Sequence, residues 1–175
     1  MLDRLITSKT RIKLLVKFFL NSSMKAYLRG LADEFGESTN AIRLELNHLE
    51  DAGLLISEAE GNKKVYCANR RHPLFNDIHN LVLTHSGITQ VIEEVIERVG
   101  DIDKVWIRGD FAVGKDADHL ELVISGNQID TDYFVQLLHK VEKLIERKIQ
   151  YTVIPTEEIT DYFSASDKML LIWTK

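Results

Sequence analysis

Apolar side chains recur every three or four positions through the opening third of the chain, then fall into two short runs around a polar turn. Helices are therefore expected first and a hairpin after them. Over residues 9–20, Ile12, Leu15, Val16 and Phe19 share one helical face, with Arg11, Lys13 and Lys17 between them. Asn21, Ser22 and Ser23 close this helix. A second helix, over about residues 26–35, turns Leu28, Leu31, Ala32 and Phe35 inward and stops at Gly36, a residue suited to the left-handed turn after a helix. Ser38 or Thr39 then caps a third helix, which runs to about Ala52 and is closed by Gly53. Residues 54–57 and 64–68 read as strands joined through Glu60, Gly61, Asn62 and Lys63, a hairpin with glycine in its turn. Pro73 permits a helix start, and Leu74, Ile78, Leu81 and Val82 mark a connecting helix over residues 74–84, before Gly87.

Beyond Gly87 the period alternates. A helix over residues 89–99 leads to a strand at 104–108, a glycine-bounded loop and a strand at 119–124. A long helix over residues 131–148 carries Phe134, Leu137, Leu138, Val141, Leu144 and Ile145 on one face. A strand at 149–154 follows, and a last helix begins near Thr156. Strands separated by helices predict a small α/β unit. The fold class is thus α+β in three segments: 1–72, a connecting helix at 73–87, and 88–175. No repeat or low-complexity linker divides them.

Charge sharpens this division. Of the 175 residues, 22 are Lys or Arg and 27 Asp or Glu, a net charge of -5 that excludes binding to nucleic acid by bulk charge alone. Residues 1–72 hold 12 basic and 9 acidic side chains, for +3; residues 73–175 hold 10 and 18, for -8. The two parts are expected to meet different partners. Cys67 is the single cysteine, which excludes a disulfide scaffold and a paired-cysteine zinc site and fits the cytoplasm. Lys17 interrupts the apolar run at 14–20 and no cleavage site precedes it, so neither a signal peptide nor a membrane span is expected.

Helix, helix, turn, helix and hairpin is the layout of a winged helix-turn-helix. On the third helix, Ile42, Leu46 and Leu49 point to the core while Asn40, Arg43, Leu44 and Asn47 share the opposite side. In a major groove asparagine pairs with adenine and arginine with guanine, whereas Leu44 can touch only a thymine methyl. Asn62, Lys63 and Lys64 place charge at the hairpin tip, suited to phosphates. The stretches Tyr27-Leu-Arg-Gly-Leu-Ala-Asp-Glu-Phe-Gly, Asn40-Ala-Ile-Arg-Leu-Glu-Leu-Asn-His-Leu-Glu-Asp-Ala-Gly-Leu-Leu and Glu60-Gly-Asn-Lys-Lys-Val-Tyr resemble ArsR-type winged-helix transcriptional regulators over residues 8–72. The resemblance implies a DNA-reading set of Ser38, Thr39, Asn40, Arg43, Asn47, Asn62, Lys63 and Lys64. It departs from the metal-sensing members, which cluster thiolates, because Cys67 stands alone as a small strand residue. His72, His79 and His85 are spaced by seven and six residues, which does not bring neighbouring imidazoles onto one helical face. His48 reads as a surface residue, and no metal site is expected.

In the second half, Val105-Trp-Ile-Arg-Gly-Asp-Phe-Ala-Val-Gly followed by His119-Leu-Glu-Leu-Val-Ile resembles a minimal nucleotidyltransferase domain over residues 88–175. The junction Asn69-Arg-Arg-His-Pro-Leu-Phe resembles regulators in which a winged helix is fused to such a domain. Such enzymes hold magnesium with carboxylates against the triphosphate. In the resemblance, the family serine falls on Asp110, after Gly109, and the metal aspartates fall on His119 and Glu121. Tyr151 or Val153 stands where a later carboxylate is expected. A rival register takes Asp116 and Asp118 as the metal pair. The first register implies a degenerate, inactive site without cofactor, while Gly114 with Gly109 serves loop geometry and the acidic set Asp110, Asp116, Asp118 and Glu121 is a solvated cluster.

The expected protein is a homodimeric, sequence-specific regulator of double-stranded DNA, with an acidic domain for dimerisation, ligand sensing or protein docking. Two alternatives stand beside it. One is an active magnesium-dependent nucleotidyltransferase using Glu121 with Asp110 or Asp118; the other is a protein–protein adaptor.

Overall fold

A computed structural model describes residues 2, 5–99, 101–115, 117–127, 129–164 and 167–175. The described residues are mixed α and β with two sheets, and the chain divides into two compact units, Met1–His85 and Ser86–Lys175. Among the described residues, no helix is long and apolar enough to cross a membrane.

The first unit forms around α1 (Lys9–Leu15), which continues through a π-helical turn, Val16–Leu20. Leu14, Val16, Phe18, Phe19 and Leu20 are all buried, so this segment is packed on more than the one face that the periodicity predicts. Lys17, expected at the surface, is buried too; its ammonium lies 2.9 Å from the Glu34 carboxylate, which supplies the charge an interior lysine needs. The chain then forms β1 (Lys25–Tyr27), so Ala26 belongs to a strand and not to the second helix. Its partner, β3 (Lys63–Ala68), lies far along the sequence, with Lys25 opposite Cys67 and Tyr27 opposite Val65. Next come α2 (Leu28–Phe35), closed by Gly36, and α3 (Thr39–Asp51). Leu31 and Ala32 of α2 are buried, whereas Leu28 and Phe35 are only half-buried.

β2 (Leu55–Glu60) pairs with β3 so that Glu60 faces Lys63 and leaves Gly61 and Asn62 as the turn. Gly61 takes φ 60°, a left-handed angle that glycine adopts without steric cost and a two-residue hairpin demands. The sheet order is β1-β3-β2. In α4 (Phe75–Ser86), the Phe75 ring packs 5.6 Å from Phe19, and His79 Nδ1 lies 2.6 Å from the Phe19 carbonyl. Val82 is buried, whereas Leu74, expected to open the helix, precedes it and is 52% exposed.

The second unit starts with a continuous helical run: α5 (Ile88–Val91), a π-helical turn Ile92–Ile96, and α6 (Glu97–Val99). β4 (Ile102–Arg108) and β5 (His119–Gly126) pair antiparallel. α7 (Thr131–Ile145) crosses over to β6 (Lys148–Ile154), which runs parallel to β5. A short α8 (Ile159–Tyr162) precedes β7 (Met169–Thr174), antiparallel to β4. The order β6-β5-β4-β7 makes a mixed sheet, mostly antiparallel. β7 is not foreseen by the periodicity, because its run Met-Leu-Leu-Ile-Trp-Thr does not alternate in polarity.

Val105, Ile107, Leu120, Leu122 and Ile124 form the core with Phe134, Leu137, Leu138 and Val141 of α7. The helix ends three residues earlier than predicted. Glu146 turns left-handed at φ 57°, and the Glu142 carboxylate accepts the Ile149 backbone N–H at 2.9 Å. Leu144, placed with the apolar face by its spacing, is 65% exposed.

Candidate nucleic-acid interface

The geometry of this region begins with how α3 is held. The Ser38 hydroxyl accepts the Ala41 N–H at 3.2 Å, capping the helix, while Ile42, Leu46 and Leu49 anchor one face in the core. On the flank, the Glu45 carboxylate takes hydrogen bonds from Ser8 at 2.7 Å and the Arg11 guanidinium at 2.8 Å. Burial pushes the Glu45 carboxyl up, yet these two bonds outweigh it and hold the group below its ordinary range. α3 is thus fixed in roll against α1, and Asn40, Arg43, Leu44 and Asn47 are all exposed, as their spacing predicts.

At the hairpin the two lysines part company. The Lys64 ammonium sits 2.7 Å from Glu50 and 5.1 Å above the Tyr66 ring. The hydrogen bond to Glu50 raises the Lys64 pKa and, reciprocally, lowers that of Glu50, which also accepts the Ser57 hydroxyl. Lys63 instead lies 5.5 Å above the Tyr27 ring. The Tyr27 hydroxyl donates to Glu60, which favours the neutral phenol and raises its pKa.

Between α3, the start of α2 and the hairpin runs a groove of about 800 Å³. It brings together Arg43 and Asn47 with Asn62, Lys63 and Lys64 from the expected set. It adds Arg29, which the sequence reading missed. The signal was available: a cation in the first turn of a helix opposes the helix dipole, so its presence calls for another reason. Ser38, Thr39 and Asn40 lie at the exposed start of α3, outside the groove lining.

The distribution of ion pairs gives the groove its sign. Arg11, Lys13, Lys17, Lys25 and Lys64 each have a carboxylate within 4.0 Å. Among the described residues, Arg29, Arg43 and Lys63 have none, and all three line the groove. Lys9, Arg70 and Arg71 also have no carboxylate within 4.0 Å among the described residues but lie outside this groove, so the groove holds three of the six such cations of the first unit. No protein-family model, no curated protein and no solved structure matches this chain.

The glycine loop of the second unit is differently arranged. Gly109 takes φ 75°, an angle that favours glycine, and a Cβ there would come within 2.8 Å of Glu121 Oε1, so a side chain would shift the carboxylate. Glu121 is opposite Arg108 across the β4–β5 pair, and its carboxylate lies 3.1 Å from the guanidinium. His119 Nε2 lies 3.4 Å from the same carboxylate. The hydrogen bond to Glu121 holds the Arg108 pKa above its ordinary value, and Arg108 also donates to the Tyr162 hydroxyl at 3.3 Å. Asp110 pairs with Lys115 at 3.4 Å. Asp116, of the rival register, lies outside the described residues. Among the described residues, no group of three or more His, Cys, Asp and Glu is placed to hold a metal ion. The histidines of the first unit have contacts of their own: His72 Nδ1 accepts the Leu74 N–H and His85 Nδ1 accepts the Leu2 N–H.

Proposed function

We propose that this protein is a homodimeric, sequence-specific DNA-binding transcriptional regulator whose first unit is a winged helix-turn-helix. In this reading α2, α3 and the turn between them form the helix-turn-helix, and β2–β3 is the wing. The observation that carries it is the groove that gathers Arg29, Arg43 and Lys63, none with a carboxylate within 4.0 Å among the described residues, beside Asn47 and Asn62. With α3 in the major groove and the wing at the neighbouring minor groove, the intervening sugar-phosphate strand runs along this groove. Cations there neutralise phosphates and release counterions, which supplies affinity, while amide and guanidinium groups on α3 face base edges and supply specificity. Two copies double a weak positive field and match a two-fold symmetric site.

In the same proposal the second unit does not catalyse nucleotidyl transfer. Asp110 and Glu121 are already engaged by Lys115, Arg108 and His119, and Asp110 brings negative charge to a loop that would have to cradle phosphates. The unit instead serves dimerisation or the docking of a ligand or protein.

Selection of bound sequences from random duplex DNA tests this reading, with the purified protein at about physiological salt. Recovery of a symmetric motif with half-sites about one helical turn apart is expected. No enrichment from folded protein would overturn it. For the second unit, magnesium-dependent transfer of label from any nucleoside triphosphate, abolished by Glu121→Ala, would refute the inactive reading.

A further inference from the structure

We infer that Leu44 contacts the 5-methyl group of a pyrimidine in the major groove, thymine in unmodified DNA, and so sets the preference at one base pair of each half-site. The inference rests on the DNA-binding reading above. Leu44 is 53% exposed, four residues after Asn40 and three before Asn47, so the three side chains stand on one ridge of α3. Ile42, Leu46 and Leu49 are in the core, Glu45 is held by Ser8 and Arg11, and His48 Nδ1 lies 3.7 Å from Glu45. Among the described residues, α3 exposes no other large apolar side chain.

Position then decides what Leu44 can do. Arg43 lines the groove, whereas Leu44 projects about 100° further round the helix and is not part of that lining. A helix that places Asn40 and Asn47 at base edges carries Leu44 to the base pair between them. Leucine cannot satisfy the donors and acceptors of a base edge and would leave them buried and unpaired. The apolar group that a base pair presents in the major groove is the C5 methyl of thymine, and 5-methylcytosine offers the same group.

The test uses the full-length protein and the duplex recovered by selection, with each thymine replaced in turn by deoxyuridine, which removes the methyl and leaves base pairing intact. One position per half-site is expected to lose about fourfold in affinity, the effect of returning one buried methyl to water. Leu44→Ala, at an exposed site, is expected to keep its thermal melting unchanged and to bind the thymine and uracil duplexes equally. A gain on methylating a cytosine at that position would show the same contact through its other source. Selective binding that ignores every thymine methyl would overturn the inference and leave the regulator reading standing, as would a uracil effect that persists in Leu44→Ala. Failure to bind any duplex would instead remove both.

Discussion

Ser38 shows how one side chain can fit two roles. The resemblance places it in the DNA-reading set, while its hydroxyl is occupied in capping α3 through the Ala41 N–H. Ser38→Ala is expected to cost about 1 kcal/mol of stability, measurable by urea unfolding. Gly109 is constrained more severely, since its left-handed backbone strains any side chain and a Cβ there would also push the tip of the Glu121 carboxylate away from its place. Gly109→Ala is expected to lose roughly 1–3 kcal/mol by the same measurement. Its glycine character was visible in the sequence; that the neighbour is a carboxylate held by Arg108 and His119 was not, because those partners meet only across the β4–β5 pair.

At the scale of elements, the end of α7 is secured by a carboxylate. Glu142 ends α7 by accepting the Ile149 N–H, with His139 and Lys148 each 3.3 Å away, and the backbone hydrogen bond leads in holding its carboxyl below the usual range. Because the folded pKa is lower than the unfolded one, this contribution is present above the ordinary carboxylate range and is lost as pH falls through the lowered value. Glu50, between Lys64 and Ser57, acts in the same direction. Urea midpoints are therefore expected to fall on acidification below that range, and Glu142→Gln should flatten the decline; an unchanged pH profile in this variant would argue against the assignment. Periodicity revealed α3 and the hairpin because their apolar faces are strictly spaced. It misplaced Ala26 and the end of α7 and missed β7, since a three-residue strand, a left-handed Glu146 and a non-alternating run acquire meaning only through distant pairing or a local turn.

Across the whole molecule, charge is the property that function would use. Lys63→Ala and Arg29→Ala are each expected to weaken binding to all sequences about equally and to lower the log–log salt slope by about 0.9 per bound monomer. Arg43→Ala is expected to relax preference at one base by about 1–3 kcal/mol, read from binding to single-base operator variants. Lys64→Ala, whose charge is matched by Glu50, should have the smaller salt effect. By itself the sequence determined the helix order of the first part, the outward set Asn40, Arg43, Leu44 and Asn47, and the opposite charge of the two halves. These follow from local periodicity and from counting. Only the tertiary structure decided that Arg29 joins the groove, that Lys64 is paired with Glu50 while Lys63 has no carboxylate partner among the described residues, and that Glu121 is paired. Those outcomes depend on which charges the fold brings within a few ångströms, and linear spacing carries no record of that distance.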